Sequence, residues 1–239
     1  MGFRMAFRRV KQFLRRRKLS RSGIVVDVSC RFVSYGARSG VWSIVPEVLT
    51  GGVVYSAGVG NNIAWDLAMI EHHQVELHAF DPTPRSVRWI GEQALPSQFH
   101  FHPLGVGAID GAQAFSEPNR ERKFNYTRAD LGDPQDKVVQ CEVRRLGTLR
   151  QELGHQEIDI LKMDVEGEEM SVLPDMLASG IQPGQLLVEF HYNYPQIPFS
   201  DFLGLISQLR ESGYRIFHIS ERGYEFGFIH RRLLPKDPT

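Results

Sequence analysis

The stretch Val53-Val54-Tyr55-Ser56-Ala57-Gly58-Val59-Gly60-Asn61-Asn62, followed by Leu77-His78-Ala79-Phe80-Asp81-Pro82, decides the fold. A short apolar run ends in a glycine-containing turn. Residues 62–73 then place Ile63, Leu67 and Ile70 on one helical face. A second apolar run ends in an acid about twenty residues after the glycines. This is the layout of a nucleotide-binding βαβ unit. Gly58 and Gly60 let backbone approach a ligand, and Asp81 offers two acceptor oxygens to a pair of ribose hydroxyls. A dinucleotide fingerprint would need a third glycine where Ile63 stands, so a cofactor without a pyrophosphate fits better. The competing readings are a plain structural turn at the glycines and an Asp81 that caps the helix beginning near Thr83.

Outward from this unit, strand-like and helix-like segments alternate. Strands are expected at 75–80, 99–101, 137–143, 158–163 and 185–190. Helices are expected at 83–94, with Thr83 as cap and Pro84 in the first turn, and at 146–153, 168–179 and 200–212, the last capped by Ser200. Residues 214–219 and 224–230 flank a tight turn and read as a hairpin. The pattern predicts an α/β, doubly wound, mostly parallel sheet with an antiparallel strand near the C-terminus. Residues 23–33 read as a strand preceding that sheet, 35–42 as a loop, and 104–136 as a long irregular segment, functional or mobile. Ligands on such sheets bind beyond the carboxyl ends of the strands, which directs attention to residues 56–62, 81, 104–107, 164–167 and 189–191.

Asp164 comes directly off the buried run Ile160-Leu161-Lys162-Met163, with Glu166, Gly167, Glu168 and Glu169 behind it. Acids at a helix start are favoured by its dipole, which accounts for Glu168 and Glu169. Glu189 and His191 are two apart and face one side of an extended strand. Asp164, Glu189 and His191 are therefore a candidate general-base group, or a ligand set for a divalent ion such as Mg2+. The alternative is a Glu189–His191 pair that only orients a loop. The remaining histidines lack metal-ligand spacing, and Trp42, Trp65 and Trp89 read as packing residues.

The 239 residues, 42% hydrophobic, suit one domain over 23–239 preceded by a tail. Cys30 and Cys141 lie far apart with no CxxC, which argues against a disulfide scaffold and fits a reducing, cytoplasmic setting. Residues 1–22 carry nine bases and no acid, whereas the body sets the other 19 bases against all 28 acids and is nine charges negative. In the tail, Phe3, Phe7, Val10 and Leu14 fall at helical spacing among arginines. That points to an amphipathic helix on an anionic membrane surface or on nucleic acid, with a leader that docks on the acidic body or stays disordered as the alternative. No helix-turn-helix, RNP or OB signature appears, so nucleic acid is not the expected partner. Nothing sets the oligomeric state.

Residues 53–60, Ala79-Phe80-Asp81-Pro82-Thr83-Pro84, Leu161-Lys162-Met163-Asp164-Val165-Glu166-Gly167-Glu168-Glu169 and Leu187-Val188-Glu189-Phe190-His191 resemble the FkbM-type, S-adenosylmethionine-dependent methyltransferases, in particular the methyltransferase-like subgroup with the Phe-Asp-Pro-Thr element. The resemblance covers residues 35–230 and implies a seven-stranded class I methyltransferase sheet. It further implies S-adenosylmethionine along Gly58, Gly60 and Asn62, its ribose on Asp81, its adenine near Gly105 and Gly107, and Asp164 near the sulfonium. One departure stands at Ser56, where many class I enzymes carry an acid; serine can bond the amino group of the methionine part without charge. The expected activity is O-methylation of a hydroxyl on a sugar, glycan or small metabolite. The alternatives are a non-enzymatic binding module on a degenerate methyltransferase fold and a nicotinamide-dependent oxidoreductase.

Overall fold

The computed structural model describes residues 2–37, 40–49, 52–118 and 124–235, with side chains from residue 7 onward. Helix α1 (Gly2–Arg21) precedes a hairpin of β1 (Val33–Ala37) and β2 (Gly40–Ile44). Then follow β3 (Val53–Ala57), α2 (Ala64–His73), β4 (Glu76–Phe80), α3 (Pro84–Ile90) and β5 (Phe99–His102). A second group comprises β6 (Gly105–Gly107), β7 (Gly111–Glu117), β8 (Thr127–Arg128), β9 (Lys137–Arg145) and α4 (Leu146–Glu152). The chain closes with β10 (Ile160–Met163), α5 (Glu169–Ala178), β11 (Gln185–Glu189), α6 (Phe199–Glu211), β12 (Tyr214–Ile219) and β13 (Glu225–His230).

The main sheet has seven strands in the order β12-β13-β11-β10-β3-β4-β5. All neighbours are parallel except β13, which runs antiparallel to β11 and β12. The inner strands are continuous apolar runs because helices cover both faces. On one face, Tyr55, Phe80, Leu161 and Leu186 pack with Leu173, Met176, Phe202 and Ile206. On the other, Val54, Leu77, Ile160 and Leu187 pack with Trp65, Met69 and Ile70, and with Trp42 and Ile44 of the hairpin. The chain winds outward from β3 to β5, returns to β10 beside β3, and winds the other way. The reversal leaves a crevice beyond the carboxyl ends of β3 and β10.

Four sequence expectations change. Residues 23–32 form no strand: Ile24 is buried, but both Val25 and Val26 are about half exposed, so the period of two is broken. This segment instead lies along β12, where the Asp27 and Val28 N–H groups donate to the Ile216 carbonyl and the Asp27 carboxylate accepts from Ile216 N and Arg210. The presumed loop at 35–42 contributes to the β1–β2 hairpin, with Tyr35 opposite Trp42. The irregular segment 104–136 supplies β6, β7 and β8, which join β9 in a separate four-stranded sheet. Its core is small (Phe115, Tyr126, Cys141 and Val143), and its glycines and prolines mask the alternation. Finally, α6 starts a residue early with Pro198 at its cap position, and the Ser200 hydroxyl donates to Asp201 rather than capping.

Helix α1 meets the body through its C-terminal half. Leu19 is buried in the core, the Lys18 ammonium lies 3.6 Å from the Phe199 ring centroid, and the Arg15 guanidinium 3.8 Å from that of Tyr224. The cap assignment gives a direct test. Ser200→Ala should change unfolding free energy by less than about 0.5 kcal/mol, whereas loss of a capping serine costs about 1 kcal/mol; denaturant melts distinguish the two.

Candidate functional site

The crevice is lined by Gly58, Val59, Gly60 and Asn62 after β3, by Asp81, Pro82 and Thr83 after β4, and by Gly105 and Val106. Lys162, Asp164, Glu166 and Glu168 form the wall at β10, while Trp42, Trp65, Phe115 and Phe124 supply apolar surface. Gly107 packs beneath, where a Cβ would sit 3.3 Å from Val143.

The glycine turn is built by close approach. Gly58 has φ +85°, and a Cβ there would lie 1.8 Å from the Asp164 carbonyl oxygen, so only glycine fits. Asp81 braces the turn. One carboxylate oxygen accepts from Val59 N (3.0 Å) and Gly60 N (2.9 Å). The other accepts from Thr83 N (2.9 Å) and the Thr83 hydroxyl (2.6 Å). The carboxylate thus reaches its full complement of about four acceptor positions. The Thr83 hydroxyl is the replaceable donor, since Ser86 Oγ lies 2.8 Å away as another partner. Asn62 takes a local role, accepting from Ala64 N and donating to the Ala37 carbonyl.

Lys162, which sequence reasoning passed over, is 4% exposed. Its ammonium donates to Ser56 Oγ (3.2 Å) and the Gly58 carbonyl (3.0 Å) and lies 5.5 Å from the Trp42 ring centroid. Among the described residues no carboxylate pairs with it within 4.0 Å. A lysine inside the run Ile-Leu-Lys-Met was itself the available signal, because lysine is almost never buried without a partner. Trp65 Nε1, also at the crevice, is buried without a hydrogen-bond partner among the described residues.

The acidic wall differs from the expected trio. Asp164 and His191 do come together, with His191 Nε2 4.0 Å from Asp164 and 3.3 Å from Glu166. Glu189 turns toward Arg222 (2.9 Å), so the place foreseen for it is filled by Glu166. Glu166 is held at φ +52°, an uncommon conformation for a side-chain-bearing residue, and accepts from Tyr194 and Asn125. Glu169 is fully buried; it accepts from Gly167 N and His191 N, and its Oε1 lies 3.2 Å from His191 Nδ1. Glu169 therefore orients the imidazole and does more than complement a helix dipole. Glu168 joins Gln113 (2.7 Å) and Arg128 (3.2 Å).

These contacts set the protonation states. Burial alone would lower the pKa of His191, but the Glu169 hydrogen bond and the charges of Glu169, Glu166 and Asp164 outweigh it and raise it to about 10. Removal from water, then the charge of Glu166, lifts Asp164 to about 6. Burial, then Asp164 and Glu225, lifts Glu189 to about 8. Asp164, Glu166 and His191 present ligand atoms mutually within 4.8 Å, the spacing a divalent cation needs.

A crevice at the reversal point of a seven-stranded sheet whose penultimate strand in space runs antiparallel defines the class I methyltransferase fold. A family model for the methyltransferase FkbM domain matches residues 34–216, and the chain belongs to that family. The probable methyltransferase-like protein 24 of Homo sapiens is 26% identical over 179 residues, and its Rattus norvegicus counterpart 27% over 175. Each match covers 69% of this chain and 42% of the relative, so the chain spans less than half the length of these relatives. Among solved structures, the methyltransferase FkbM of Methylobacillus flagellatus is similar at TM-score 0.47 and 17% identity, over 77% of this chain and 45% of that one.

Asp81→Ala is expected to strand the Val59, Gly60 and Thr83 N–H groups. Equilibrium denaturation should show a loss on the order of 2–4 kcal/mol.

Proposed function

We propose that the protein transfers a methyl group from S-adenosylmethionine to a hydroxyl of a small-molecule or glycan acceptor. The observation that carries this reading is the charge layout of the crevice. A buried ammonium without a carboxylate partner stands at the glycine turn, and carboxylates stand two and four residues further along, at Asp164 and Glu166. S-adenosylmethionine carries an anionic carboxylate and a cationic sulfonium a few bonds apart, and this arrangement complements both. A pyrophosphate-bearing dinucleotide matches less well, because the acidic wall would repel it.

When bound, the cofactor supplies an electrophilic methyl group on positively charged sulfur. Lys162, with the turn at Gly58 and Gly60, would hold the amino-acid carboxylate, replacing the charge that Ser56 does not bring. Asp81 would accept one ribose hydroxyl once the Thr83 hydroxyl turns to Ser86, and Gly105 and Val106 would border the base. Asp164 serves as the general base for the acceptor hydroxyl, and its raised pKa brings it nearer to neutral pH. The His191 imidazolium and Glu169 keep Asp164 and Glu166 in place. The protein's main task is alignment, which suits a site built on strand ends and buried hydrogen bonds.

Calorimetric titration tests the reading. S-adenosylmethionine and S-adenosylhomocysteine should bind saturably, NAD and NADP should not, and Lys162→Met should weaken the first pair at least tenfold in a folded protein. Absence of binding by folded wild type would instead favour a non-enzymatic module on this fold. With an acceptor in hand, kcat/KM should rise with pH through about 6, as Asp164 loses its proton, and Asp164→Asn should remove that limb. With the His191 imidazolium supplying the positive charge, turnover should persist in EDTA. Loss of turnover restored by Mg2+ would place a cation among Asp164, Glu166 and His191.

A further inference from the structure

Helix α1 is clamped to the body along one edge and leaves an apolar stripe in water. Phe7, Val10 and Leu14 are 58%, 54% and 56% exposed and fall at i, i+3 and i+7. The side chain of Phe3, which extends the stripe in sequence, lies outside the described residues. The edge that meets the body carries Arg15 and Leu19, which touch Gly223 and Tyr224. At about 100° per residue Arg15 and Leu19 lie roughly 100–150° around the helix from the stripe and Lys18 roughly 50° from it, and docking leaves each described stripe residue more than half exposed. Phe13 shares a groove with Val25 and Val26, which carries exposed apolar surface past the end of the helix.

We propose that α1 seats on an anionic lipid surface, with Phe7, Val10 and Leu14 in the headgroup–acyl boundary and the bases on its flanks against lipid phosphates. Three observations select this occupant. The segment 1–22 has nine bases and no acid, so its partner is anionic. A nucleic acid would satisfy those charges yet leave the aromatic and aliphatic stripe in water. A second copy paired stripe to stripe would bring nine positive charges against nine. Only a surface that is anionic outside and apolar just beneath satisfies both sides of the helix. The rest of the chain is net negative, so an anionic membrane favours the approach led by α1.

The placement of the helix matters as well. Arg15 donates to the Arg222 carbonyl, in the turn between β12 and β13, and Lys18 covers Phe199 at the start of α6. That turn and that helix start both lie at the edge of the sheet where β11 ends, because Glu189 pairs with Glu225 and Phe190 N donates to the Tyr224 carbonyl. A membrane-seated α1 therefore holds the carboxyl edge of the sheet, and with it the crevice, close to the bilayer. No described helix is long and apolar enough to cross a membrane, and the contact proposed is that of α1 lying in the plane of the interface.

The test is flotation of the full chain with unilamellar vesicles of phosphatidylcholine alone or with one quarter phosphatidylglycerol. Wild type should float with the anionic vesicles, at least tenfold more than with neutral ones, and salt should weaken the attachment. The triple change Phe7→Ser, Val10→Ser and Leu14→Ser keeps every charge and should cut partitioning at least tenfold with the melting temperature unchanged. Failure of wild type to float, or equal flotation of the triple variant, overturns the proposal. So does stripe-dependent dimerisation seen by light scattering, or stripe-dependent retention on single-stranded RNA. No arm requires cofactor, so the outcome is independent of the methyl-transfer reading.

Discussion

The contact between Gly58 and the backbone carbonyl of Asp164 is the constraint around which the site is arranged. β3 and β10 run parallel, and the two turns leaving them press together with no room for a side chain between. One turn carries Gly58 and Gly60; the other carries the carboxylates Asp164 and Glu166. Gly58 N donates to the Phe80 carbonyl and Asp164 N to that of Ala57, so three strand ends are stitched at one level. Asp81 then fastens the glycine turn from the β4 side. The glycine turn and the acidic wall thus share one rigid foundation, which suits the alignment that the proposed methyl transfer needs.

Burial makes the electrostatics of the crevice consequential. His191 keeps its proton because Glu169 and two further carboxylates surround it, although loss of water alone would have driven the proton off. Removal from water, and then the neighbouring charge of Glu166, raises the affinity of Asp164 for a proton. Lys162 adds a cation whose hydrogen-bond partners are neutral oxygens. Such a combination is costly for folding alone, and it is the kind of cost found where a ligand completes the charge balance.

The parallel sheet and its ligand edge were legible because inner strands announce themselves as unbroken apolar runs bounded by turns, as at Val53–Ala57 and Ile160–Met163. Strand tips therefore led to Gly58, Asp81, Asp164 and His191. Only β9 of the small sheet was expected; β6 to β8 were hidden, since β6 is three residues long and β7 and β8 are half exposed and bordered by Gly111, Pro118 and Gly132. Glu189 and Glu166 exchanged roles for a reason periodicity does not contain. Arg222, 33 residues away along the chain, captures Glu189, and the positive φ at Glu166 swings that side chain to His191. Lys162 was missed because an apolar run draws attention to packing and away from the one polar residue within it.

The treatment of the sheet's two borders has its own consequence. At one border, residues 23–28 lie against β12, and Asp27 takes both an N–H and an arginine that would otherwise face outward. At the other, β5 is only four residues long and ends at Pro103, with His100 paired to Glu76 beside it. Short, charged or covered edges resist pairing with strands of other molecules. Crowding many copies together would therefore leave each sheet closed on itself, and fibrillar growth by edge-to-edge addition is disfavoured.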